Sequence, residues 1–146
     1  RVTVDDVTQA VASSARFDAF RLVECALQGN LGECLRVAAG LQRTGVAIQA
    51  VTGAIYRELS VADTARSAIR AGESEGAVFG RLRIWQSRQG PMRRLLGRLT
   101  ALQFGEVFRA LSLIDRQSKG RAAGDAWQTL DRLLWFLCDP VAVDLP

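Results

Sequence analysis

Between Val46 and Ala71 the apolar residues recur at one kind of spacing. Ile48, Val51, Ile55, Leu59, Ala62 and Ile69 are separated by three, four or seven residues. That spacing lays them along one stripe of a 3.6-residue helix, whereas a strand would scatter them over both faces. A stripe of this length cannot be satisfied alone in water. It requires other helices to cover it, and the rest of the chain supplies them.

Thr3 with Asp6 reads as a capping box that opens a short helix carrying Val7, Ala10 and Val11 and ending near Ser13-Ser14. Asp18 is the expected cap of a second helix with Phe20, Val23 and Leu27 on one face and Gly29 as its stop. Asn30 and Glu33 form another cap-and-reach-back pair, ahead of Leu31, Cys34, Leu35, Ala38 and Leu41 and a stop near Gly45. Beyond the long stripe, Gly72–Gly76 reads as a loop, and a shorter element runs from about Val78 to Gln89, where Gly90-Pro91 is expected to break it. Met92, Leu95, Leu96 and Leu99 mark a short helix. Thr100 and Gln103 cap a longer one with Phe104, Val107, Phe108, Leu111 and Ile114 facing inward. In the last helix, about Ala123 to Cys138, Trp127, Leu130, Leu134 and Leu137 form one face while Leu133, Trp135 and Phe136 cover the rest. A helix apolar all round must be buried by its own domain or by a partner. The expectation is an all-α, bundle-like domain of five to six helices behind a short leading one.

The chemistry open to 146 residues without histidine is narrow. The commonest general base and metal ligand is missing, and with it every Ser-His or Cys-His nucleophile pair. Lys119 is the sole lysine, flanked by Ser118 and Gly120, so there is no phosphate-cradling G-x-x-x-x-G-K-[ST] loop. No carboxylate pair has di-metal spacing. Catalytic, cofactor and metal sites are therefore expected to be absent. Cys25, Cys34 and Cys138 are odd in number with no C-x-x-C, and Cys34 and Cys138, among apolar residues at helical spacing, read as small core residues of a reducing, cytoplasmic protein rather than as a redox or ligand pair. No apolar run approaches the ~20 residues of a membrane span. The chain opens on Arg1 rather than Met, which points to a piece of a longer polypeptide.

Charge is patterned rather than extreme. The net charge is +4, but no acidic residue lies between Glu75 and Glu106, a window that holds Arg81, Arg83, Arg88, Arg93, Arg94 and Arg98. Arginine is suited to bidentate recognition of phosphate or carboxylate, and Trp85 among them can stack on a base or pack against a neighbour. The cluster is thus a candidate surface for nucleic acid or for an acidic patch on another protein. The plainer reading is a solvated helix face with Ile84 and Trp85 plugging the core.

Several segments, in order, carry a resemblance. Val2–Val7 with Ala10-Val11, Phe17–Val23, Ala26–Gly29, Ile55–Leu59, Arg83–Arg88 and Ala126-Trp127 follow one another as in the C-terminal part of the delta-subunit family of bacterial DNA polymerase III clamp loaders. The resemblance implies that residues 1–14 end an AAA+-like lid domain and that residues 15–146 form a helical collar domain for oligomerisation. It implies partners in the ATPase and delta-prime subunits, a sliding clamp met through an N-terminal domain outside this sequence, and primed or template DNA nearby. It implies no ATP hydrolysis here. The alternative reading is a stand-alone helical nucleic-acid-binding domain using Arg81–Arg98.

Overall fold

The computed structural model describes the backbone of residues 1–146 and the side chains of all of them except 11–13. Among the described residues the chain forms seven α-helices and no strand, as an all-α domain should. They are α1 (Val4–Gln28), α2 (Leu31–Arg43), α3 (Ile48–Arg70), α4 (Glu75–Arg81), α5 (Gln86–Arg98), α6 (Ala101–Ser118) and α7 (Ala126–Cys138). α1 packs on α2, α3, α5 and α7; α6 joins α3 to α7; and α2 lies along α7.

Capping follows the sequence closely. Asp6 N donates to Thr3 Oγ1 at 3.1 Å while Thr3 N donates to Asp6 Oδ2 at 3.0 Å, and Thr100 and Gln103 form the same reciprocal pair. Asn30 caps α2 by accepting from Glu33 N. The Glu33 side chain does not reach back, because Arg21 and Arg36 hold its carboxylate. α7 begins later than expected, at Ala126, where Asp125 Oδ1 accepts from Trp127 N and Gln128 N.

Two boundaries differ from expectation. The short leading helix and the helix behind it are one 25-residue element, α1, with Asp18 inside it rather than at an N-cap. Val11 and Ser13, near the expected stop, lie outside the described side chains. No glycine or proline occurs from Val4 to Gln28, so the residues most costly to a helix interior are missing there. The second difference is the turn between α4 and α5. It falls at Leu82–Trp85, and Pro91 sits inside α5. Pro91 is close enough to the start of α5 that the helix forgoes a single bond, to the carbonyl of Ser87.

The turn is made by an unusual residue. Arg83 has φ of 56°. Its N–H donates to Gly80 O at 3.1 Å, and Ile84 N donates to Phe79 O at 3.0 Å, the bond pair that closes a helix through one left-handed residue. The same bond pairs end α1, α2, α3 and α6, where the left-handed residue is Gly29, Gly45, Gly72 or Gly120. Arg83 holds a glycine position.

The core contains the expected stripes, including Ile48, Val51, Ile55, Leu59 and Ala62 of α3 and Phe104, Val107, Leu111 and Ile114 of α6. Phe108 is only partly buried and meets Tyr56 edge-on, with 5.7 Å between ring centroids. α7 is the central helix. Leu130 and Leu134 on one side and Leu133 and Phe136 on the other are all buried, with Trp135 left 44% exposed. Trp135 apart, its apolar residues are covered within the domain, by α1, α2, α5 and α6. Among the described residues no helix is long and apolar enough to cross a membrane.

Candidate interaction surface

Tertiary contacts redistribute the arginine cluster. Arg81 pairs with Glu73, and Arg93 pairs with Glu75 while lying over the Phe79 ring at 5.5 Å. Glu73 lies in the turn ahead of α4 and Glu75 is the first residue of α4, both just outside the acid-free window. The charge excess read along the chain is thereby reduced in space.

Arg88 and Arg98 point inward. Arg88 Nη1 donates to Glu58 Oε2 on α3 at 2.7 Å, its Nη2 lies 3.9 Å from Glu24 Oε1 on α1, and its guanidinium stacks 4.2 Å from the Phe20 ring centroid. The guanidinium charge is thus compensated by two carboxylates and an aromatic face, although Nε and Nη2 lack hydrogen-bond acceptors. Arg98 Nε donates to Leu137 O at 3.1 Å, and its Nη2 donates to Ala26 O and Leu27 O, each at 3.0 Å. Neither α1 nor α7 has a basic residue in its last turn. One guanidinium from α5 therefore supplies the cation at two helix C-termini, where the carbonyls carry negative partial charge. Burial lowers the Arg98 pKa from its usual value. Gly29 lies beside this arrangement and is required by its left-handed backbone, φ 79°, which ends α1.

Five of the seven candidate residues remain outward, and two of them, Arg81 and Arg93, are held in exposed ion pairs. Arg83 and Arg94 are exposed, with no ion pair among the described residues, and Trp85 is 67% exposed rather than plugging the core. Ile84 alone takes the inward position. Trp85 meets Phe20 of α1 at a ring-centroid distance of 6.4 Å, and Phe20 is itself 39% exposed. Phe20, Arg83, Trp85 and Arg88 line one small depression. Across Phe20 and Arg88 it adjoins a larger groove of about 610 Å³ between α1 and the start of α3, walled by Ala19, Val23, Ala50 and Ala54. An exposed Trp, Phe and Arg beside an apolar groove is the composition found at centres of protein interfaces.

Sequence reasoning missed Phe20, Glu24 and Glu58 as members of this surface. Arg88 did carry a signal. It precedes Met92, Leu95 and Leu99 by four, seven and eleven residues, the spacing of the buried face of α5.

Comparison with known proteins places this geometry in context. No family model matches the chain. DNA polymerase III subunit delta of Escherichia coli (strain K12) is 26% identical over 150 residues, covering 99% of this chain and 42% of the relative. The protein of the same name from Haemophilus influenzae is 25% identical over 149 residues, covering 94% of this chain and 42% of the relative. This chain is similar to the C-terminal part of DNA polymerase III subunit delta. It spans less than half the length of those delta subunits, and the collinear segments read from the sequence extend over the same region.

Proposed function

We propose that this chain is the C-terminal helical domain of a clamp-loader delta subunit, and that it holds that subunit among ATPase and delta-prime neighbours without doing chemistry of its own. Similarity to subunit delta along 99% of the chain is the observation that carries this reading. In it, residues 15–146 are the collar domain and residues 1–14 end a lid domain. The exposure of residues 1–10, Val4 at 82% among them, and of Phe17 at 67%, supports a further contact for the N-terminal half of α1. The sliding clamp would be met through segments outside this sequence.

The turn at Arg83–Trp85, with Phe20 and the adjoining groove, is the face we assign to a protein neighbour. The alternative, a nucleic-acid surface, has less support, since four of the six clustered arginines are paired or turned inward.

The test is reconstitution with the ATPase and delta-prime subunits, followed by size exclusion at micromolar concentration. Co-elution is expected, with Trp85→Ala weakening it about tenfold or more while circular dichroism stays unchanged. Persistent separation of the parent protein from both partners overturns the reading. Salt-sensitive binding to primed DNA that is lost in Arg93→Ala/Arg94→Ala, without any co-elution, would favour the alternative.

A further inference from the structure

Two cysteines separated by 104 residues in the chain meet where α2 packs along α7. Cys34 Sγ on α2 lies 3.9 Å from Cys138 Sγ at the last residue of α7. Cys34 is fully buried, whereas Cys138 is only partly buried. The guanidinium of Arg98, fixed on Leu137 O, sits beside Cys138. We propose that Cys138 and Cys34 form a peroxide-reactive thiol pair, in which Cys138 is oxidised first and Cys34 resolves it into a disulfide joining α2 to α7.

The environment divides the two roles. The hydrogen bond shared with Cys34 lowers the Cys138 pKa, and the positive charge of Arg98 acts in the same direction, opposed by burial and Asp139. The Cys34 pKa is raised, by its hydrogen bond to Cys138 and by burial. The more acidic and more accessible sulfur is the one that meets an oxidant first. Other groups near the pair are Cys25, on the adjoining face of α1, and Asp139. Cys25 is buried and its pKa is raised chiefly by burial.

Chemically, the Cys138 thiolate attacks one oxygen of hydrogen peroxide, an S–O bond forms, the O–O bond breaks, and the departing hydroxide takes a proton to become water. Cys34, losing its proton, then attacks the Cys138 sulfur; the S–S bond forms and the S–O bond breaks, releasing the second water. Two thiols and one peroxide become one disulfide and two waters. The sulfurs must close by about 2 Å from their 3.9 Å separation to reach a bond of ~2.05 Å.

The purified protein is treated with stoichiometric hydrogen peroxide under native conditions, and its thiols are counted before and after. The expected result is a fall from three free thiols to one, a mass loss of two hydrogens, a non-reduced digest in which the Cys34 and Cys138 peptides are joined, and reversal by dithiol. Cys34→Ser should instead accumulate a sulfenic acid on Cys138 that a cyclic diketone traps; Cys138→Ser should leave both remaining thiols free. Three thiols persisting in the native protein, a bridge that includes Cys25, or oxidation that requires denaturant would each overturn the proposal. Melting curves on the two variants identify any that fail to fold, and the digest of the parent protein decides the matter without them.

Discussion

A single guanidinium illustrates how much one residue can carry in this domain. Arg98 bonds the terminal carbonyls of two helices that lack cations of their own. Replacing it leaves those carbonyls short of a buried partner, each such loss costing about 1–3 kcal/mol before relaxation. Arg98→Met is therefore expected to destabilise the protein by about 2–4 kcal/mol in urea unfolding. Arg98→Lys should recover only part, since a point donor cannot span three acceptors in fixed directions. A loss under about 0.5 kcal/mol for Arg98→Met would show that water replaces the guanidinium without penalty. Arg83 has the opposite sign. Its left-handed backbone costs roughly 1 kcal/mol relative to glycine. Arg83→Gly should stabilise the fold by about 0.5–1 kcal/mol, partly offset by glycine's greater freedom when unfolded. If the turn serves assembly, the same variant will bind its neighbours more weakly while melting higher, which separates a retained functional residue from a neutral one.

Among the elements, side-chain caps and glycine stops were the most legible from the sequence, and the breaks expected at Ser13-Ser14 and Gly90-Pro91 the least. Thr3, Asn30 and Thr100 cap where their side chains suggest, because a cap depends on residues within one turn of each other. Breaks depend on what the neighbouring helices tolerate. Pro91 remains inside α5, while the real turn is set at a residue with no sequence mark of a stop, Arg83. The α1 cap also provides a pH test. Hydrogen bonds from Thr3 hold the Asp6 carboxyl below its ordinary value of 3.8. A depressed folded pKa gives stability that is present above 3.8 and disappears as pH falls through the lower, folded value. The first turn of α1 should fray only in that acid range, seen as loss of amide-exchange protection at Asp6 and Val7. Val7 N donates to Thr3 O, and Thr3→Ala should shift the fraying toward neutral pH.

For the whole molecule, the apolar periodicities of α2, α3, α6 and α7 determined that the chain would be an all-helical domain, and which faces would form its core. That information is local: a 3.6-residue repeat read over a dozen positions gives both the element and its buried side. The collinear resemblance to clamp-loader delta subunits was equally legible, because it rests on the order of segments along the chain. Only the tertiary structure decided what the arginines do. Glu24 and Glu58 lie far from Arg88 in sequence yet neutralise it, and carbonyls from α1 and α7 meet on Arg98. Cys34 and Cys138 became a pair in the same way, across 104 residues. Charge and thiol chemistry depend on distances of a few ångströms between remote segments, and a linear pattern does not encode those distances until the helices have packed.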